Sequence, residues 1–301
     1  MRPQPYRGRF APSPSGHLHF GSLITALASF LDAKKNNGTW LVRLEDIDPP
    51  REKTGASEHI LKTLEAFGLH WDEKVLFQSK QSDYYWQIIE QLFDQHHCYY
   101  CHCTRAQIKA SGGIYQGHCR ELSIDRTNNA IRVINDHSVY QYHDVIQGQV
   151  KCNKAIAAED FIILRKDGLF AYQLAVVADD IYQNINHVIR GCDLLEPTAR
   201  QLSFYSLLNK LKLPNLGVCN APIFGHIPLA VTDQGYKLSK QNKAPAIDNA
   251  NPQPTLIAAL CFLGQQPPAE MISATVDEII RWAITHWQRD SVPKKREIQL
   301  T

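Results

Sequence analysis

A loop of sequence PSPSG, set between a short strand and a long helix, is the feature that most constrains the fold of this chain. The loop occupies residues 12–16 and follows a strand predicted at residues 6–11. Residues 19–37 carry apolar side chains at i, i+3 and i+4 spacing, which predicts an amphipathic helix, and residues 39–45 predict a second strand. A strand, helix and strand in this order favour parallel strands joined by a right-handed crossover, so we expect an α/β fold.

The remainder of the chain changes character twice. Residues 96–129 are rich in Cys, His, Gly and Tyr and have little periodicity, as expected of an inserted lobe. Residues 130–181 are richer in β signals, including the run FIILRKDGLFAYQLAVVADD, in which Asp167 and Gly168 predict a type I′ hairpin turn. Further helices are predicted at residues 57–67, 82–95, 196–210, 255–262 and 276–287.

These elements divide the chain into four predicted segments. The α/β core is interrupted by a mixed α/β lobe and is followed by a small C-terminal helical region. The segments are the first half of the core at residues 1–95, the inserted lobe at 96–188, the second half of the core at 189–235, and a charged loop with the helical tail at 236–301.

Composition excludes several classes of protein. With 44% hydrophobic and 21% charged residues the chain is neither disordered nor fibrous, and no apolar run reaches the ~18 residues that a membrane span requires. The N-terminus has no apolar segment of a signal peptide, so we expect a cytoplasmic protein with no membrane partner. A net charge of +2 limits any nucleic-acid contact to a local surface. The eight cysteines are then reduced thiols or metal ligands.

The segment RFAPSPSGHLHFGS, residues 9–22, has the layout of an anion site. The first turn of a helix offers free N–H groups and the positive end of the helix dipole, and His19 and Ser22 lie in that turn. On spacing alone, a Pro-rich connection with solvated histidines is equally compatible with this segment.

The order of residues in this segment resembles the nucleotide-site signature of the glutamyl/glutaminyl branch of class I aminoacyl-tRNA synthetases. Residues 19–22, HFGS, stand where that family has its HIGH motif, and KLSKQ at residues 237–241 resembles its mobile lysine loop. The resemblance implies a Rossmann-like catalytic core that binds ATP with Mg²⁺. His19 and Lys240 would be catalytic, because a flexible ammonium can neutralise charge that develops on the α-phosphate of ATP.

A glutamate substrate needs an acid for its amine and a forked cation for its side-chain carboxylate. The resemblance assigns the α-amino group to Glu45 and the γ-carboxylate to Arg9, Arg190 and the Tyr172 hydroxyl. The full set of expected substrate-binding residues is Arg9, Phe10, Ala11, Pro12, Ser13, Gly21, Ser22, Glu45, Tyr172, Arg190, Lys237 and Lys240.

Three cysteines have metal-ligand spacing. Cys101-x-Cys103 and Cys119 offer three thiolates, whereas Zn²⁺ normally takes four tetrahedral ligands. For the fourth ligand, spacing leaves Cys98, Tyr115, His102 and His118 open, and general frequency favours Cys98. The spacing from Cys101 through Tyr115 to Cys119 is similar to that of short glutamyl-tRNA synthetase paralogues, in which the tyrosine is the zinc ligand, and this resemblance indicates Tyr115.

Two further segments, GGIYQGHCR at residues 112–120 and LEDIDPPR at residues 44–51, also resemble these short paralogues. In addition, only about 60 residues follow KLSKQ. The resemblance implies an enzyme that activates L-glutamate with ATP and attaches it to the queuosine base of tRNA(Asp). We expect it to be a monomer. Arg165, Lys166 and Lys243 are candidates for holding the RNA backbone. Two alternatives stay open: a glutamyl-tRNA synthetase fragment that charges the acceptor end, and a catalytically silent zinc module that binds tRNA.

Overall fold

The computed structural model describes residues 4–214, 216–217, 219–232 and 246–300. The helices of these residues are α1 (Phe20–Lys35), α2 (Ala56–Ala66), α3 (Ser82–Asp94), α4 (Arg105–Ala110), α5 (Lys154–Ala158), α6 (Tyr172–Tyr182), α7 (Thr198–Leu211), α8 (Pro252–Phe262) and α9 (Val276–His286). The strands are β1 (Arg7–Phe10), β2 (Thr39–Leu44), β3 (Leu76–Phe77), β4 (Cys98–Cys101), β5 (Ala130–Val133), β6 (Gln141–Asp144), β7 (Gly148–Lys151), β8 (Ile162–Leu164), β9 (His187–Gly191), β10 (Ile223–Ile227), β11 (Leu229–Val231) and β12 (Glu297–Gln299).

Parallel strands form the centre of the fold. Strand β1 pairs in parallel with β2, with Arg7 opposite Thr39, and β2 pairs in parallel with β3. On the other side of β1 lies β9, where the Asn186 amide donates to the Arg7 carbonyl at 3.0 Å, and β9 pairs in parallel with β10. The spatial order is therefore β3, β2, β1, β9, β10. The predicted strand, helix and strand unit is confirmed, with α1 as the crossover.

Helix α1 is buried on nearly all of its surface. One side packs on β1, β2 and β9, and the other side packs on α8 and α9. Asp32 in this helix accepts hydrogen bonds from Tyr6, Trp287 and Arg289, at 2.6–2.9 Å. Because this single buried carboxylate joins β1's entry, α1 and the segment after α9, it attaches the C-terminal helices to the core.

The segment predicted as an inserted lobe, residues 96–188 and called the lobe below, contains a small antiparallel sheet in the order β4, β5, β8. Two predictions for this part of the chain are wrong. Residues 172–182 form helix α6, not strand. Eight consecutive side chains of this helix, at residues 174–181, are buried, because the helix packs between β8 of this sheet and α7. The turn at Asp167 and Gly168 exists but is not type I′, since only Gly168, at φ +83°, has the positive φ that type I′ requires at both central residues.

The C-terminal region departs from an all-helical tail. Strand β12 pairs in parallel with β11, with Leu229 opposite Glu297, so the end of the chain returns to the core beside β10. None of the described helices is long and apolar enough to cross a membrane.

Candidate active site

A cavity of about 620 Å³ opens where β1, β2 and β9 end. Ligands of open α/β sheets bind at this edge, because the carboxyl ends of parallel strands and helix N-termini meet there. Every described residue that the sequence assigned to the nucleotide and amino-acid site lines this one cavity. These residues are Arg9, Phe10, Ala11, Pro12, Ser13, His19, Gly21, Ser22, Glu45, Tyr172 and Arg190. Lys237 and Lys240 lie outside the described residues.

The loop after β1 carries the chain to the N-terminus of α1. Gly16 has a φ of +139°, a backbone conformation that residues other than glycine rarely adopt, so the loop can turn directly into the helix. His19 is the N-cap of α1, and its Nδ1 accepts a hydrogen bond from the Ser22 amide at 3.3 Å. Gly21 and Ser22 of this first turn line the cavity, so the N-terminus of α1 lies where an anion site requires it.

A buried charge network stands behind the cavity. Arg9 donates from Nε and Nη2 to Asp180, and Arg43 donates to the same carboxylate at 2.7 Å. Burial alone would raise the pKa of Asp180, but these two guanidinium groups hold it below its usual range. Arg43 also lies 3.8 Å from Asp179 and 4.0 Å from Glu45, so it is shared among three carboxylates.

Glu45 is one of two acidic residues, with Asp193, among the described residues that line the cavity. Its side chain is 11% exposed, and burial raises its pKa to about 7, against the opposing pull of Arg43 and Arg9. A cation placed beside Glu45 would lower this pKa and so hold the carboxyl in its ionised form.

Arg190 is a buried cationic residue that also lines the cavity. Its Nε donates to His226 at 3.0 Å, its Nη2 donates to Thr198 and Gln201 at 2.6 Å, and its plane lies 4.8 Å from the Phe224 ring centroid. Its Nη1 is buried and has no hydrogen-bond partner among the described residues. A buried guanidinium N–H without a partner costs free energy, and a ligand carboxylate in the cavity would satisfy it.

The three predicted metal-ligating cysteines lie together. The sulfur atoms of Cys101, Cys103 and Cys119 are all within 4.8 Å of one another, and those of Cys103 and Cys119 are 3.5 Å apart. Tetrahedral zinc with bonds of ~2.3 Å holds its sulfurs roughly 3.8 Å apart, so this donor set fits the ion.

The structure narrows the choice of a fourth ligand. The Tyr115 hydroxyl accepts a hydrogen bond from the Cys119 amide at 2.8 Å, and His102 Nδ1 lies 3.8 Å from the Cys119 sulfur. Cys98 belongs to a different hydrophobic cluster, with its sulfur toward the Ile89 carbonyl. Tyr115 and His102 are therefore beside the thiols, and Cys98 is not.

Comparison with known proteins identifies the family. Residues 6–299 match the model of the class I tRNA synthetases (E and Q), catalytic domain. The chain belongs to this family of ligases.

Similar proteins narrow the branch within this synthetase family. The chain is 65% identical to a protein named Glutamyl-Q tRNA(Asp) synthetase from Colwellia psychrerythraea strain 34H, over 98% of this chain and 94% of that one. It is 50% identical to the protein of the same name from Escherichia coli K12, over 98% of this chain and 93% of the relative. The crystal structure of glutamate-tRNA synthetase from Elizabethkingia anophelis matches with a TM-score of 0.78 and 25% identity, over 99% of this chain and 68% of that one.

Sequence reasoning missed the residues that hold the synthetase's cavity in shape. Gln201 and His226 contact the cavity residue Arg190, Arg43 lies 4.0 Å from the cavity residue Glu45, and Asp144 acts only through His226. None of these four residues carries a local pattern that spacing could detect. Cavity-lining residues that were also not assigned are Ser15, Ile24, Thr25, Arg51, Ile189, Gly191, Asp193, Leu194, Pro228, Leu229 and Ala230.

Proposed function

We propose that this synthetase activates L-glutamate with ATP and transfers the glutamyl group to the queuosine base in the anticodon of tRNA(Asp). The observation that carries the proposal is that Glu45 and Arg190 line the same cavity, and that Arg190 Nη1 is buried there without a hydrogen-bond partner among the described residues. The names of relatives at 65% and 50% identity, matched over nearly their whole length, support the nucleic-acid substrate.

Charge complementarity supports glutamate as the amino acid. Its α-ammonium would sit against Glu45, and ionisation of that carboxyl would follow from the contact. Its γ-carboxylate would bind Arg190, with Arg9 and the Tyr172 hydroxyl as further donors, and the remaining lining, Phe10, Ala11 and Pro12, would close the pocket around it. Glutamine would leave the guanidinium of Arg190 without a counter-charge, which is the basis for discrimination.

The helix N-terminus supports binding of ATP at the other end of the cavity. The Gly21 amide and the Ser22 hydroxyl, with the Ser13 side chain and His19, would bind the phosphates, and Lys237 and Lys240 would contribute cationic charge. Mg²⁺, brought with ATP, would neutralise part of the phosphate charge. In line with this arrangement, the glutamate α-carboxylate attacks the α-phosphate and pyrophosphate leaves.

Transfer needs no covalent enzyme intermediate. A hydroxyl of the queuosine cyclopentenediol attacks the carbonyl carbon of the glutamyl-adenylate, and AMP leaves with the electron pair of the broken C–O bond. The side chains that hold glutamate keep the mixed anhydride oriented, so catalysis comes from positioning and from charge stabilisation. Arg165 and Lys166, with Lys243, would hold the RNA backbone beside the cavity.

A structural zinc ion completes the proposal. Cys101, Cys103, Cys119 and Tyr115 would hold it within the segment 96–188, which we propose as an inserted lobe between core halves at residues 1–95 and 189–235, with 236–301 as loop and tail. An ion at this position would stabilise the lobe and take no part in the reaction.

The site of glutamate attachment is the decisive test. Purified enzyme is incubated with ATP and radioactive glutamate and with three RNAs: tRNA(Asp) carrying queuosine, the same tRNA after nuclease removal of its 3′-terminal CCA, and tRNA(Asp) from cells that cannot make queuosine. We expect label in the first two and none in the third, and ribonuclease fragments should locate it in the anticodon loop.

Two other outcomes identify the alternatives. Label that requires the CCA end and ignores queuosine would identify an acceptor-end synthetase. Absence of glutamate-dependent ATP–pyrophosphate exchange would identify a binding module without catalysis.

A further inference from the structure

We propose that Asp144 and His226 form a positioning pair that fixes the guanidinium of Arg190, and that this pair sets the enzyme's preference for a side-chain carboxylate. The inference rests on the proposed function, because it concerns how Arg190 selects its substrate. Neither Asp144 nor His226 lines the cavity, so both act through Arg190 and do not touch the amino acid.

The sheet brings these residues together. His226 on β10 lies directly opposite Arg190 on β9, and the end of β6 places Asp144 against β10. Both members of the pair are fully buried. Asp144 Oδ2 is 2.6 Å from His226 Nδ1, and Asp144 Oδ1 accepts hydrogen bonds from the amides of His226, Ile146 and Gln147 at 2.8–3.1 Å.

The contacts of His226 determine its tautomer. His226 Nε2 lies 3.0 Å from Arg190 Nε and 3.2 Å from the Thr198 hydroxyl, which donates to the Leu194 carbonyl. A guanidinium has only N–H donors, so Nε2 accepts from the nearer group, Arg190 Nε. The ring proton is then on Nδ1, where the Asp144 carboxylate accepts it. The charged and titratable groups around the ring are Asp144, Arg190 and Asp193, and burial, with Arg190, lowers the His226 pKa, which agrees with a neutral ring.

This tautomer matters because of what it leaves unbound on Arg190. His226 takes Nε, while Thr198 and Gln201 take Nη2. Nη1 is thus the buried nitrogen of this cavity-lining residue that has no partner among the described residues. If His226 presented an N–H instead, two donors would face each other at 3.0 Å and the guanidinium would turn away.

Two histidine variants isolate the acceptor. His226→Gln and His226→Leu both remove the Nδ1–H that Asp144 accepts, but only the glutamine oxygen can still accept from Arg190. We expect KM for glutamate in pyrophosphate exchange to rise about tenfold or more in His226→Leu and to stay within about threefold of native in His226→Gln. KM for ATP should not change in either variant.

Asp144→Asn tests the tautomer directly. The new amide can donate to Nδ1 and so shifts the ring proton to Nε2, as the corresponding change does in serine proteases. We expect the ¹⁵N chemical shifts of His226, assigned by difference from His226→Gln, to change from an Nδ1–H to an Nε2–H pattern. KM for glutamate should rise, and the preference for glutamate over glutamine should fall. Asp160→Asn, which alters an equally buried carboxylate in the lobe, should change neither property.

The outcomes separate this inference from the proposed function. If the native enzyme does not activate glutamate, the proposed function is wrong. If it does, and His226→Leu keeps native KM for glutamate, the positioning pair is wrong. An Nε2–H pattern in the native spectrum would overturn the inference even if Asp144→Asn failed to fold.

Discussion

Arg9 donates from Nε and Nη2 to the two carboxylate oxygens of Asp180, each at 3.1 Å, and both side chains are about 4% exposed or less. Two residues earlier on β1, Arg7 also makes a two-point contact, from Nη1 and Nη2 to the two carboxylate oxygens of Glu73, but Glu73 is 49% exposed. Two residues on the same face of one strand thus each form an arginine–carboxylate ion pair, one buried and one exposed. The buried pair orients a cavity cation, whereas the exposed pair lies at the surface.

This contrast predicts unequal effects on stability. Asp180→Asn leaves Arg9 and Arg43 buried without their shared counter-charge, and we expect the free energy of unfolding to fall by about 3–5 kcal/mol. Glu73→Gln should lower it by less than about 1 kcal/mol. Urea unfolding of the two variants makes the comparison, and equal losses would show that burial of the Asp180 network is not what matters.

The raised pKa of Glu45 predicts the pH dependence of glutamate binding. Below its pKa of about 7 the carboxyl of the empty enzyme is protonated and offers no charge to the substrate ammonium. We therefore expect KM for glutamate to fall as the pH rises from 6 to 8. Glu45→Gln should bind glutamate weakly and without this slope. A native KM that is flat over the same range would contradict the assignment of Glu45 to the ammonium.

The same pKa predicts how Glu45 affects the stability of the empty enzyme. The folded state binds the Glu45 proton more tightly than the unfolded state, whose pKa is about 4.5, so this contribution is present below pH 4.5 and is lost as the pH rises to about 7. At about 1.4 kcal/mol per pKa unit, the loss is roughly 3 kcal/mol. Glu45→Gln should therefore gain stability relative to native between pH 5 and pH 8 in thermal or urea unfolding. A difference in stability between Glu45→Gln and the native enzyme that stays constant from pH 5 to pH 8 would contradict the raised pKa of Glu45.

Zinc should be retained through the cysteine cluster. We expect one ion per chain by elemental analysis, and we expect Cys119→Ser to lose it and to become sensitive to proteolysis within the lobe. Cys152→Ser is the matched control, because Cys152 lies half-buried in another hydrophobic cluster and should leave the zinc content unchanged. Metal-free native protein would refute the site. Full zinc content in Tyr115→Phe, with loss in His102→Ala, would transfer the fourth position to the histidine.

Local patterns explain what could be predicted from the sequence. The helix periodicity at residues 19–37 and the strands beside it predicted α1, β1 and β2 to within two residues, because each element carries its own signal. The loop motif and the family resemblance found residues of β1, α6 and β9, and the residue that follows β2, that line one cavity, although their binding roles remain predictions. The spacing of Cys101, Cys103 and Cys119 likewise predicted three thiols that do lie together.

Tertiary packing explains what could not. Helix α6 has the apolar run of a buried strand, and only its position between the lobe sheet and α7 makes it a helix. Helix α1 was expected to have a polar face, but α8 and α9 cover that side. Asp144 and His226 are 82 residues apart, and nothing in either neighbourhood indicates that they meet.

The lysine loop allows a prediction that depends on chemistry and not on the described geometry. Lys240 would neutralise charge that grows on the α-phosphate as pyrophosphate leaves, so its contribution belongs to the transition state. We expect Lys240→Ala to lower the rate of ATP–pyrophosphate exchange by about 10²- to 10³-fold. Glutamate binding, measured by calorimetry, should change little, because the lysine would act at the phosphate and not at the amino acid. Lys62→Ala removes a lysine that is 66% exposed on α2 and should leave the exchange rate at its native value. An exchange rate in Lys240→Ala equal to that of Lys62→Ala would show that Lys240 takes no part in activation of glutamate.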